Sequence, residues 1–143
     1  VTGMKKRIRS CSLILAAAMV LVGSRAVCGQ KGSADMPFKL ARAVMCETVQ
    51  GYSPINIAVI FSIELGRVSC FTAFDPVDRK ASIRHKWYRR GNLITVKRLT
   101  INPPRWSTLS SIQLRDADKG PWRVDITDEH GSVVETLRFS ITD

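Results

Sequence analysis

Histidine is scarce in this 143-residue chain: there are two, His85 and His130, and no pair of acidic residues clusters with either. No Gly-x-Ser-x-Gly stretch exists to make a nucleophile elbow, and no glycine-rich loop of the phosphate-cradling kind is present. The four cysteines show neither Cys-x-x-Cys nor Cys/His spacing, which excludes a zinc site of the usual pattern. Asp116-Ala-Asp118-Lys-Gly120 starts like a calcium loop. A glycine stands at its third acidic position and no Glu follows at the required distance, so ordinary turn chemistry is the reading. Beyond residue 29 there is no helical period, internal repeat or low-complexity tract. These absences predict a chain that is not an enzyme and takes no cofactor or metal. The one catalytic alternative is a hydrolase pairing His85 with Ser110 or Ser111.

The charge is lopsided, with 22 basic against 12 acidic residues and a net +10. Much of the excess lies at the start. If Met4 begins the protein, Lys5, Lys6, Arg7 and Arg9 precede the apolar run Leu13–Val22, and small residues follow from Gly23 to Gly29. That order predicts a secretory signal peptide over residues 1–29, cut after Ala26 or Gly29, and hence a periplasmic or exported protein. The run is short for a mature span of a bilayer about 30 Å thick. Arg25 and Val27 stand where a lipobox needs an aliphatic and a small residue, so lipid anchoring through Cys28 is not expected. Five basic residues and no acidic ones precede Val27, which leaves +5 beyond it. No nucleic-acid partner is expected, and membrane contact is expected only through an uncleaved signal segment. The cations around Trp87 (Arg84, Lys86, Arg89 and Arg90) read as a solvated sheet face, with anionic polymers or lipid head groups as the functional alternative.

Residues 30–38 read as a disordered leader and 39–143 as one β domain. Strand patterns fall at Leu40–Val49, Ile55–Ile63, Arg67–Phe74, Ser82–Arg89, Leu93–Ile101, Trp106–Leu114, Trp122–Asp128 and Ser132–Thr142. About seven or eight short strands at this spacing predict an all-β, immunoglobulin-like antiparallel sandwich. Ile55–Ile63 and Arg67–Phe74 read as a hairpin, and Asp75–Lys80 as a surface loop. The expected core is Val59, Phe61, Phe71, Trp87, Trp122, Val124, Ile126, Leu137, Phe139 and Ile141. His85 shares the Ile83 and Trp87 face, which makes it a structural histidine bonding a backbone carbonyl. Cys46 and Cys70 are expected to form a disulfide in an oxidising compartment; the alternative is two buried small residues whose strands do not meet. Tyr88, Arg89, Arg90, Arg105 and Trp106 form the candidate binding surface, with Trp106 as a third core tryptophan the competing assignment.

The elements Ala41-Arg-Ala, Pro54, Phe71-Thr72, His85-x-Trp87, Arg105-Trp106 with Ser110-Ser111, Gly120-x-Trp122-x-Val124 and Asp128-x-x-Gly131 with Phe139 occur in that order. Over roughly residues 40–142 the chain resembles domain of unknown function 2914, a bacterial envelope-associated immunoglobulin-like sandwich. It departs from that pattern at Cys46 and Cys70, where apolar residues are usual, and at Leu109, where an aromatic is. The resemblance implies fold and compartment, and supplies no activity or catalytic residues. The expected function is a non-catalytic module that contacts another envelope protein. A glycan-binding module using Tyr88, Trp106 and the neighbouring arginines is the alternative.

Overall fold

Apolar alternation on nearly every strand demands two facing sheets, and the computed structural model, which describes residues 35–143, shows them. The expected signal peptide and most of the expected leader lie outside the described residues. One sheet has the order β2 (Ser53–Ile57), β1 (Phe38–Gln50), β4 (Arg67–Val77), β7 (Trp106–Gln113). The other has the order β3 (Ile60–Ser62), β9 (Val133–Thr142), β8 (Gly120–Thr127), β5 (Ala81–Arg89), β6 (Asn92–Ile101). Every ladder is antiparallel except β3 with β9. Strands β4 and β7 in one sheet, with β5, β8 and β9 in the other, match the B–E and C–F–G pairings of an immunoglobulin-like sandwich.

Nine strands form where eight are expected, because the run from Ile55 to Ile63 is divided. Asn56 adopts a left-handed φ of 53°, and the chain leaves β2 at Ile57, crossing to the opposite sheet as β3. The expected hairpin with the next strand is therefore absent: β2 pairs with β1, and β3 with β9. Val59 sits in that crossover and is 65% exposed, so it is not a core residue. Its carbonyl instead accepts from the Ser140 N–H at 2.9 Å.

The ends of β1 and β4 extend past their expected limits. Phe38 belongs to β1 and not to a leader; it is buried and meets Phe74 edge-to-face at 5.2 Å. Asp75–Val77 continue β4 instead of looping out, with Val77 buried opposite Phe38. The register shift between Phe38 and Leu40 leaves Pro76 at a bulge, where a missing N–H costs no ladder bond.

Trp87, Trp122, Val124, Phe139 and Ile141 fill one cluster with Phe61, Met45, Val68 and Cys70. Ile126 joins Phe38, Phe74, Val77, Ile83 and Ile101 in a second. Leu137, half-buried, packs against both. Phe71 is buried on the opposite face of β4 from Cys70 and Phe74, so it belongs to neither cluster.

Candidate functional site

Between the two apolar clusters runs a belt of buried polar side chains. His85 separates Ile83 from Trp87 along β5, and Thr72 separates Cys70 from Phe74 along β4, so strand alternation aims both into the sandwich. Ser110 of β7 completes the belt. His85 is fully buried and Ser110 nearly so. His85 Nδ1 lies 2.8 Å from Ser110 Oγ, and Nε2 lies 3.2 Å from Thr72 Oγ1. Trp87 Nε1–H donates to Ser110 Oγ at 3.1 Å, and Thr72 Oγ1 donates to the Thr108 carbonyl at 3.5 Å.

Donor counting assigns the protons. Indole is only a donor, so Ser110 accepts from Trp87 and turns its own O–H toward His85 Nδ1. His85 then carries its proton on Nε2 and donates to Thr72, whose O–H passes on to Thr108. Every polar group in this hydrogen-bonded series is satisfied, and each link except Thr72 to Thr108, which lies within one sheet, closes across the interior. The opposite tautomer would leave the Ser110 hydroxyl without an acceptor.

Burial lowers the His85 pKa to about 4, since an imidazolium there would lose its hydration with no carboxylate in return. Buried His85 bonds two hydroxyls and not the expected backbone carbonyl. The Ser–His proximity a hydrolase needs is present as geometry. Its nitrogens are both engaged, Thr72 stands where an orienting acid would be, and the pair has no opening to solvent.

The expected surface patch divides into three. Tyr88 lies on the outer face of its sheet, with the Arg123 guanidinium 4.2 Å from its ring centre. Arg89 turns the other way: it pairs with Asp118 at 2.7 Å, donates to the Ala117 carbonyl at 2.6 Å and lies 6.0 Å from the Trp122 ring centre. Arg90 occupies the first left-handed position of the Arg90–Gly91 turn and reaches the Lys119 carbonyl at 3.4 Å. Both arginines thus hold the 115–119 loop. The Asp118 carboxylate is also taken by the Arg115 N–H at 2.8 Å, which accounts for the calcium-like motif as a turn.

Arg105 and Trp106 stand elsewhere. Trp106 begins β7 in the other sheet, opposite Phe74 and so beside the second cluster, whereas Tyr88 adjoins Trp87 in the first. Trp106 is 40% exposed and is not a third core tryptophan. Tyr88 and Trp106 consequently share no surface, and the five-residue patch is not one site.

Cys46 and Cys70 are free thiols, which corrects the expected disulfide. Met45 pairs with Cys70 and Cys46 with Ser69, so the two cysteines sit on neighbouring rungs and point to opposite faces of one sheet. Cys70 occupies the strand that carries one half of the immunoglobulin B–F bridge; the β8 residues in its cluster are Trp122 and Val124, neither of which can complete it. Burial raises both thiol pKa values, so neither is a ready nucleophile.

An arrangement that sequence reasoning passed over lies on the side of the sandwich. Strands β6 and β7 each end a sheet. Between them a groove of about 390 Å³ is lined by Ile94, Thr95 and Lys97 from β6, by Ser111, Ile112 and Gln113 from β7, and by Trp122. Ile94 is the extra residue of the bulge between the Trp87–Thr95 and Tyr88–Leu93 pairs, and it is 48% exposed. A single strand pattern carries no signal for which strand will end a sheet.

Residues 80–141 match the family described as protein of unknown function (DUF2914). The match runs from β5 to the penultimate residue of β9 and leaves β1–β4 outside it. It agrees with the family resemblance read from the sequence, over the second part of the stretch expected. No curated protein matches the chain.

Proposed function

We propose that this chain is a non-catalytic, exported β-sandwich module that docks a protein of the bacterial cell envelope along the open side between β6 and β7. The observation that carries this reading is the pair of unpaired edge strands bordering one groove, with exposed Ile94 on its rim. An edge offers a row of N–H and C=O groups to an added strand, and alternate side-chain positions supply specificity. The basic, apolar and small residues of 1–29 support export. Full engagement of His85 in the core supports a non-catalytic role. A glycan module is less well supported, because Tyr88 and Trp106 lie on different sheets.

The test is a photo-crosslinking residue placed at Ile94, at Gln113 or at Tyr52 in cells exporting the full chain. A discrete protein adduct from the first two positions, absent from Tyr52, is the expected result. Adducts from Tyr52 alone would move the docking surface. Absence of adducts everywhere, with retention of the purified protein on a glycan array, would replace this reading with the glycan one.

A further inference from the structure

The outer face of the β3–β9–β8–β5–β6 sheet carries a charge pattern that folding alone does not favour. Trp122, Val124 and Ile126 point inward, so Arg123, Asp125 and Thr127 point out, and the registers place Arg84, Lys86 and Tyr88 beside them. Three rungs follow from those registers. The first reads Arg138, Arg123, Tyr88, Leu93; the second Thr136, Asp125, Lys86, Val96; the third includes Thr127, Arg84 and Arg98. Two of these cross-strand neighbours are arginine facing arginine: Arg84 with Arg98, and Arg123 with Arg138. Like charges directly opposite destabilise a sheet.

One carboxylate faces these five cations from within the strands. Asp125 Oδ1 is 3.0 Å from Arg123 Nε and accepts from Thr136 Oγ1 at 3.0 Å. At the end of the sheet Asp128 Oδ1 is taken by the N–H groups of His130 and Ser132, and the Glu129 carboxylate lies 3.5 Å from the His130 ring. Among the described residues Lys86, Arg98 and Arg138 form no ion pair. The same face exposes apolar side chains at its β6 margin, with Leu93 at 52% and Val96 at 42%.

We propose that this face binds the surface of an anionic phospholipid bilayer, a contact separate from the docking groove and independent of it. The pattern spans four strands, about 14 Å at the usual strand spacing. It presents cations across a sheet face and not along a channel, which suits a planar array of phosphates better than a single polymer strand. Arginine accepts phosphate in a bidentate fork. Leu93 and Val96 gain from entering the head-group boundary, and would gain nothing from a dissolved polyanion. Arg84 already donates to the Asp128 and Glu129 carbonyls and Arg123 is paired with Asp125, so lipid phosphate would relieve chiefly their unpaired neighbours Arg98 and Arg138.

The test is co-sedimentation of the purified protein with vesicles of phosphatidylcholine containing about one third phosphatidylglycerol, a composition in the range where each surface cation contributes measurably. Binding is expected to these vesicles, to be absent with phosphatidylcholine alone, and to weaken as salt is raised. Replacing Arg98→Gln and Arg138→Gln together should weaken it about 30-fold, since each cation near such a surface contributes about 1 kcal/mol. Replacing Arg67→Gln, in β4 of the other sheet, and Arg105→Gln, directly before β7, should change it less than about twofold; both double variants should keep the parent far-ultraviolet spectrum. Equal losses in the two double variants would overturn the proposal, as would equal binding to neutral vesicles. It would also fail if Leu93→Ser with Val96→Ser left vesicle binding unchanged while soluble polyphosphate bound as tightly as the vesicles.

Discussion

His85 shows how one residue's surroundings set a measurable property of the fold. Its pKa stands at about 4 in the folded protein, against about 6.5 in an unfolded chain. Between those values the unfolded state holds a proton that the folded state does not, so stability rises with pH there. The contribution is complete above pH 6.5 and is lost as the pH falls toward 4, amounting to about 3 kcal/mol at about 1.4 kcal/mol per pH unit. Urea denaturation at intervals between pH 7 and 4 should show this decline, and a His85→Gln variant should lack it while being less stable at pH 7. A parent and variant with the same pH dependence would mean that His85 is solvated and that the hydrogen-bonded chain is misassigned. Alternation alone makes the inward direction of His85 legible in the sequence. Its partners are not legible, because Thr72 and Ser110 lie 13 and 25 residues away and meet it only when two sheets face each other.

At the scale of elements, β5, β8 and the 115–119 loop behave as one piece. Trp122 is stacked on Phe139 with ring centres 6.1 Å apart, and its Nε1–H donates to the Asp118 carbonyl at 2.6 Å. Arg89 fastens the same loop from β5. Gly120 opens β8 at φ +112°, where a Cβ would also come 3.3 Å from Arg90 Nε. Trp122→Ala should therefore cost about 3–5 kcal/mol, the usual range for emptying a large aromatic site. Arg89→Ala should leave the overall stability within about 1 kcal/mol, since its ion pair is partly solvated. Amide exchange at Asp118 and Lys119 should nevertheless quicken in Arg89→Ala and not at Val124. Unchanged exchange in the loop would show that Trp122 alone secures it. The strand candidates at Ser82–Arg89, Leu93–Ile101 and Trp122–Asp128 agree with the structure within a residue or two, because strict alternation and the Arg90–Gly91 turn mark them. The run Ile55–Ile63 misleads, because continuous β-branched and apolar residues give no sign of a chain that changes sheets at Ala58.

In the whole molecule, a polar belt lies between two apolar clusters without dividing them into separate units. Leu137 touches both, and the bonds from His85 to Thr72 and Ser110 cross from sheet to sheet. Unfolding should accordingly be a single cooperative event, with tryptophan fluorescence (dominated by Trp87 and Trp122 near the first cluster) and far-ultraviolet ellipticity tracing one denaturant curve. Two separated transitions would mean that the clusters melt independently and that the belt does not couple them. The same arrangement distributes the two proposed surfaces. The proposed docking groove follows the β6–β7 side, the cationic face covers the outside of one sheet, and Trp106 with Arg105 stands beside the second cluster on the other.

Composition and period alone determined the all-β class, the inward tryptophans Trp87 and Trp122 and the turn at Asp128–Gly131, since each depends on residues close together in the chain; the family resemblance rests on the order of short motifs along it. Tertiary structure decided the rest. Cys46 and Cys70 are free because adjacent rungs send them to opposite faces. Tyr88 and Trp106 are apart because their strands enter different sheets. The arginines at 84, 98, 123 and 138 become neighbours only when β6, β5, β8 and β9 align in register. Such contacts depend on strand order and pairing, which local sequence periodicity does not encode.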